Sequence, residues 1–195
     1  MIVRAFIALA GALAAANGVA TMLGGHLSNG MRLTYSSGGV ETPWVIDSVH
    51  RDLTVAGKAG CVRIWLRLSP AQPQADVRTH CVTGTTMSTW DDKSGALLPA
   101  RPVAAGGLTL ERPGGISVRY DVAAASADTV SGIVLSVLPT TVSTIDSTGR
   151  TVRRLRERFS PAIATATWGV FEVADSTASN GWRTTREFKL VAISR

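Results

Sequence analysis

The chain has 195 residues, of which 45% are hydrophobic and 17% are charged. This length suits one domain with an appendage, and the hydrophobic fraction excludes a disordered chain. The formal net charge of +6 would suit a nucleic-acid partner, but the positive charges are mostly spread singly along predicted strands. We therefore expect no nucleic-acid partner. We interpret the basic surface as solvated strand faces, or as contacts to anionic lipid headgroups or to an acidic protein.

The amino-terminal segment begins with one basic residue, Arg4, and continues as an uncharged run from Ala5 to Gly25. Such a run is close to the roughly 20 residues that cross a bilayer as a helix. It also fits a signal peptide, with small-residue cleavage sites at Ala14-Ala15-Ala16 and Gly18-Val19-Ala20. We favour an uncleaved anchor, because the apolar stretch continues past both sites. The predicted division is an anchor or signal segment at 1–25 and an extracytoplasmic β domain at 26–195.

Both interpretations of this segment leave Arg4 in the cytoplasm and carry the rest of the chain across the membrane. We expect a single-pass protein of a bacterial inner membrane, with its C-terminal domain in the periplasm. Small residues recur at spacings of three and four, which places them on one helix face: Ala8, Gly11, Ala15 and Gly18. Such a face lets transmembrane helices approach closely. It predicts packing on another membrane protein, although a signal peptide would have the same composition.

The chain has two cysteines, Cys61 and Cys81. An even number after an export-type segment predicts one disulfide. Closing a loop of about 20 residues would stabilise the fold by about 3 kcal/mol in the chain-entropy model. The alternative is a pair of buried free thiols.

From Met31 onward, hydrophobic residues alternate with polar ones. Between Cys61 and Leu68, alternation places Val62, Ile64, Leu66 and Leu68 on one face and Arg63, Trp65 and Arg67 on the other. This is the pattern of a half-buried strand. Turn signals separate such runs, at Gly38-Gly39, Arg112-Pro113-Gly114-Gly115, Ser147-Thr148-Gly149 and Ser179-Asn180-Gly181. The pattern predicts an all-β fold, an antiparallel meander that forms a half-barrel, barrel or sandwich.

One segment of the domain, Thr151 to Phe159, is predicted as a helix. The same region holds the densest charge cluster of the chain, which consists of Arg150, Arg153, Arg154, Arg156 and Arg158. Guanidinium groups in such a cluster bind lipid headgroups or an acidic subunit face. A solvated surface is the equally simple interpretation.

No residue pattern points to a catalytic, metal or cofactor site. The sequence has no Gly-x-Ser-x-Gly, no Gly-x-Gly-x-x-Gly and no P-loop. His50 and Asp52 could supply a base and its carboxylate, but residues adjacent on a strand point to opposite faces. We therefore expect neither an enzyme nor a cofactor, and no small-molecule substrate.

Two resemblances follow from these patterns. The run Arg158 to Ala162, followed by Thr165 to Val173, resembles periplasmic curved-sheet domains of the LolA/LolB and DUF3108 kind. That resemblance implies lipoprotein carriage or a cell-envelope role. The overall form, an Ala/Gly-rich helix at Ala5–Leu23 with a small exported β domain, is similar to membrane-anchored accessory subunits of bacterial photosynthetic reaction centre–light-harvesting complexes. No pigment-ligating residue carries over.

Three functions compete on this sequence. The preferred hypothesis is a non-catalytic accessory subunit whose partners are other membrane protein subunits and membrane lipids. The second is a soluble periplasmic carrier that holds a lipid or lipoprotein chain, which requires a large apolar cavity and would be excluded by a filled core. The third is an enzyme in which His50, Asp52 and another polar group meet in one cleft.

Overall fold

The computed structural model describes residues 23–195, and this part of the chain is an all-β domain. Its strands are β1 (Arg32–Ser37), β2 (Val40–Val55), β3 (Lys58–Arg67), β4 (Asp76–Thr83), β5 (Thr86–Asp91), β6 (Ala96–Pro102), β7 (Gly106–Arg112), β8 (Ile116–Val122), β9 (Ser126–Val130), β10 (Ile133–Ile145), β11 (Thr151–Ser160), β12 (Thr165–Ala174) and β13 (Trp182–Ser194). A 3₁₀ turn, Pro161–Ile163, joins β11 to β12.

The strands form one antiparallel sheet with the order β6-β5-β4-β3-β2-β1-β13-β12-β11-β10-β8-β7, and β9 pairs with the first half of β10. Two meanders therefore meet where β1 pairs with β13. Arg101 of β6 lies 2.8 Å from Glu157 of β11, although most of the strands lie between β6 and β11 in the sheet order. This contact shows that the sheet curls strongly. The result is a nearly closed barrel-like sheet, which confirms the predicted all-β meander.

Local sequence explains most strand boundaries. In β3, Val62, Ile64 and Leu66 are 5% exposed or less, and Trp65 between them is half-buried, as their alternation predicts. The turn between β1 and β2 places both Gly38 and Gly39 at positive φ, the conformation that tight two-residue hairpins require.

The predicted helix at Thr151 to Phe159 is wrong, because these residues form β11. Leu155 and Phe159 are four residues apart, a spacing that fits one face of a helix and also one face of a strand. The intervening arginines alternate with them at period two. Pairing of β11 with both β10 and β12 then stabilises the extended conformation.

The predicted disulfide is confirmed. Cys61 of β3 and Cys81 of β4 are bonded, and both side chains are fully buried. The bond joins neighbouring strands on either side of the loop that contains Pro70 and Pro73.

One end of the barrel is filled by residues outside the strands. Leu23, Leu27 and Met31 are buried in the core together with Ile163 of the 3₁₀ turn. The amide of Gly24 donates to the carbonyl of Pro161 at 2.8 Å, and that of His26 donates to Ala162 at 2.9 Å. The first residues of the described chain therefore close this end.

The predicted helix face of Ala8, Gly11, Ala15 and Gly18 lies outside the described residues. From the predicted segment 1–25, residues 23–25 are described, and Leu23 packs into the domain core. Within residues 23–195, no helix has the length and apolar character to cross a membrane.

Candidate ligand cavity

A cavity of about 570 Å³ lies inside the curled sheet, between the filled core and the turn that joins β1 to β2. This volume is within the range of small-molecule sites in proteins. Both meanders contribute to its lining. Its aromatic side chains come from β1, β2 and β11 to β13: Tyr35, Trp44, Phe159, Phe171 and Phe188.

The aromatic wall is held in place by mutual packing. The ring of Tyr35 lies 4.4 Å from that of Trp44 and 6.1 Å from that of Phe188, centroid to centroid. The Tyr35 hydroxyl donates to the carbonyl of Ala166 at 2.9 Å, and burial raises the pKa of Tyr35 well above its usual value. The wall is therefore pre-formed, with its one hydroxyl already bonded to the protein.

Gly169 of β12 sets the position of the Phe188 ring. A Cβ at this residue would lie 2.5 Å from the ring of Phe188 and 3.3 Å from Leu155. Such a contact is impossible without movement of the ring, which lines the cavity. Glycine here permits close approach of an aromatic side chain rather than an unusual backbone conformation.

A buried ion pair crosses the cavity between β6 and β11. The Arg101 side chain is 12% exposed and the Glu157 side chain 7%, and the Arg101 guanidinium lies 3.5 Å from the centroid of Phe159. Burial lowers the pKa of Arg101 and Glu157 opposes that shift. The Nη2 to Oε1 contact is an ion pair rather than an aligned hydrogen bond, since neither Nε nor Nη2 of Arg101 has a hydrogen-bond partner in the described chain.

Arg78 and His80 of β4 lie at the inner end of the cavity. Both also line a void of about 20 Å³ that borders Leu27 and Ile163 of the filled core. His80 contacts the Thr89 hydroxyl through Nδ1 at 3.0 Å. Burial, with Arg78 and Arg101 nearby, lowers the pKa of His80 to about 4, so the imidazole is neutral at pH 7.

The cavity lining carries more positive than negative charge. Its charged residues are Arg78, Arg101, Arg186 and Glu157. Glu157 is paired with Arg101, whereas neither Arg78 nor Arg186 takes part in an ion pair within residues 23–195. The site can therefore hold an apolar molecule that bears a negative charge.

The predicted arginine cluster divides between several environments. Arg154, Arg156 and Arg158 share the outer face of β11, where the first two pair with Glu172 and the third lies 3.8 Å from Asp128. The hydrogen bonds and charges of Arg154 and Arg156 hold the pKa of Glu172 below its usual value.

The other two members of the cluster lie apart from this row. Arg153 lines a second cleft of about 540 Å³, which Arg154 also borders and which shares Leu155, Phe171 and Arg186 with the main cavity. Arg150 is exposed immediately before β11. The sequence cluster is therefore divided between the two faces of β11 and the residue that precedes this strand.

The histidine and carboxylate considered for catalysis lie away from the cavity. His50 packs against Trp65 at 4.8 Å between ring centroids, and neither His50 nor Asp52 lines the cavity. Among residues 23–195, no three His, Cys, Asp or Glu side chains come together as metal ligands would.

The comparisons give no relative to argue from: no protein-family model matches the chain, and no curated protein or solved structure matches it. The cavity is therefore the feature of the described residues that bears most directly on function. No sequence pattern indicates that its polar residues, Arg78, His80, Arg101 and Glu157, share a site. The first two lie on β4, Arg101 lies on β6 and Glu157 lies among the arginines of β11, and the curl of the sheet brings these strands together.

Proposed function

We propose that this domain is a binding module that holds the hydrocarbon part of a lipid-like ligand inside its curled sheet. The cavity of about 570 Å³ carries the proposal, because it is large, pre-formed and lined by aromatic rings. Burying hydrocarbon against such a lining gains about 0.8 kcal/mol per methylene group. The resemblance of residues 158–173 to curved-sheet carrier domains points to the same class of ligand.

Photo-crosslinking with a neutral probe tests this proposal. Purified full-length protein is irradiated with a fatty alcohol that carries a diazirine in its chain, and the labelled peptides are identified by mass spectrometry. We expect label on the peptides that contain Trp44, Leu155 or Phe188, because these side chains line the cavity. Label spread evenly over exposed peptides would contradict the proposal.

Two matched variants sharpen the experiment. Leu155→Trp fills part of the cavity and should reduce labelling several-fold, because Leu155 lines the cavity wall. Val134→Trp adds the same ring at a position that is 63% exposed and lies away from the cavity, so it should leave labelling unchanged.

A second candidate function is the accessory subunit of a larger membrane complex. The favouring observation is a row of arginines and tryptophans on the outer face of β11 to β13. The Arg154 guanidinium lies 4.2 Å from the ring centroid of Trp182, and that of Arg158 lies 5.8 Å from Trp168. Arginine and aromatic side chains are enriched in protein interfaces.

Native electrophoresis of membranes solubilised in mild detergent tests this second function. We expect the wild-type protein to migrate within a larger complex and Arg158→Glu to release it. Arg119→Glu is the matched control, since Arg119 and Arg158 are both 52% exposed and each lies near an aspartate. Migration of the wild-type protein as a lone monomer would exclude the accessory role.

The two functions require different amino termini, and the intact mass of the protein from washed membranes distinguishes them. A mass near 20.5 kDa would mean that the apolar segment is retained and would favour a membrane-anchored subunit in the periplasm. A mass reduced by the first ~16 or ~20 residues, as a signal peptide of ordinary length requires, would favour a soluble carrier.

A further inference from the structure

We propose that the ligand of the cavity is a single-chain carboxylic acid of the fatty-acid class, which binds with its carboxylate inward against Arg78. This inference depends on the proposed binding function and adds the charge, the chain number and the direction of the ligand. It follows from the charge of the lining, the depth of Arg78 and the gradient of exposure along the aromatic wall.

The charged residues that line the cavity favour an anionic ligand. The one carboxylate in the cavity, Glu157, is paired with Arg101, and His80 is neutral at pH 7 because burial and the nearby arginines lower its pKa to about 4. Arg78 is therefore a half-buried cation without a negative partner in the described residues. A charge removed from water is costly unless it is paired, and a ligand carboxylate can form a bidentate pair with a guanidinium.

Arg78 also defines which end of the ligand enters first. It lines both the cavity and the small void beneath it, beside Leu27 and Ile163 of the filled core. Trp44 packs near its guanidinium, with 5.9 Å between Cζ and the ring centroid. A carboxylate bound here lies at the inner end of the cavity and must be the leading end of the molecule.

The aromatic side chains lead from this inner end to solvent. Tyr35 is 5% exposed, Phe188 is half-buried and Phe171 is 38% exposed, so exposure increases along the wall. A hydrocarbon chain that extends outward from Arg78 would contact these rings in turn. In a phospholipid, the negative charge lies between the acyl chains and the polar headgroup. That charge could reach Arg78 only if the headgroup were buried as well.

Competition photo-crosslinking tests the inference on the full-length protein. The probe is a fatty acid that carries a diazirine in its chain, and the competitors are oleate, oleyl alcohol and vesicles of phosphatidylglycerol. We expect oleate to compete at a concentration at least tenfold below that of oleyl alcohol, which has the same chain without the charge. Phosphatidylglycerol should compete more weakly than oleate.

The variant Arg78→Met should abolish the preference for oleate over oleyl alcohol, because no cation then remains at the inner end of the cavity. Arg63→Met is the matched control, because the Arg63 guanidinium also lies 5.9 Å from a tryptophan ring, that of Trp65, and Arg63 does not line the cavity. It should retain the wild-type preference.

Three outcomes would overturn the inference, and one of them separates it from the proposed function. Equal competition by oleate and oleyl alcohol would show that the cavity does not recognise a carboxylate. The proposed binding function would not be affected by that result. Stronger competition by phosphatidylglycerol than by oleate would show that the ligand is a phospholipid rather than a single-chain acid. If neither the acid nor the alcohol labels the cavity peptides, the proposed binding function itself fails.

Discussion

The two ends of the barrel are built from the same strands but have different interiors. At the filled end, Leu33, Leu135 and Ile163 are 2% exposed or less, and residues 23–31 close the core. At the open end, two residues further along β1, Tyr35 lines a cavity that also contains Arg78 and Arg101. The side chains of the filled end border a void of only about 20 Å³, whereas the rings and guanidinium groups of the open end surround a cavity of about 570 Å³. Close apolar packing is therefore concentrated at one end, and the space for the proposed ligand lies at the other.

The largest expected effect comes from breaking the ion pair that crosses the open end. Arg101→Met leaves the buried Glu157 carboxylate without its partner, which costs about 3–5 kcal/mol in comparable proteins. Urea unfolding followed by tryptophan fluorescence measures this loss. The double variant Arg101→Met/Glu157→Leu should recover most of it, because no unpaired charge remains. If the double variant loses as much unfolding free energy as the two single variants added together, packing around these residues rather than their charges holds β6 against β11.

Truncation of a leucine should cost more at the filled end than in the cavity wall. Leu33→Ala removes a fully buried side chain and should lower the free energy of unfolding by about 2–5 kcal/mol. Leu155→Ala enlarges a space that already exists and should cost roughly 1 kcal/mol or less, because little new cavity is created. Equal losses, measured by the same urea unfolding, would contradict the contrast between the two ends.

Acid should destabilise the open end through His80. Its pKa is about 4 in the folded protein and about 6.5 when unfolded. Between these values the unfolded chain binds a proton that the folded chain does not. The stabilising contribution is therefore complete above pH 6.5 and is lost as pH falls towards 4, at up to about 1.4 kcal/mol per pH unit.

The comparison of wild type with His80→Gln isolates this effect, because glutamine does not titrate. The difference in unfolding free energy between the two proteins should change by about 2–3 kcal/mol between pH 7 and pH 4. A constant difference over this range would mean that burial does not lower the pKa of His80 in the folded protein.

The smallest expected effect concerns the shape of the cavity. Gly169→Ala forces the Phe188 ring to move, since the added Cβ would lie 2.5 Å from it. We expect a loss of about 1–3 kcal/mol from overpacking together with a several-fold change in labelling by the diazirine alcohol. Gly107→Ala on β7 is the control, because its Cβ would meet backbone at an ordinary 3.7 Å. Wild-type behaviour of Gly169→Ala would mean that the aromatic wall adjusts freely.

Local patterns were sufficient to predict much of the fold. Alternation in β3 and the glycine turns depends on nearest neighbours along the chain, and both are confirmed. The helix predicted at Thr151 to Phe159 was wrong because Leu155 and Phe159 fit both periods, and pairing with β10 and β12 decided between them. The arginine cluster was visible in the sequence, but its division between two strand faces depends on the strand that these residues form.

The sequence by itself determined most of the strands, the turns and the disulfide, because each depends on residue types and spacings within a short stretch or on an even cysteine count. The tertiary structure decided the cavity and its charges. Arg78, Arg101 and Glu157 lie on strands far apart in the chain, and the curl of the sheet brings β6 against β11. No local pattern records that closure, because it arises from twist summed over many strands.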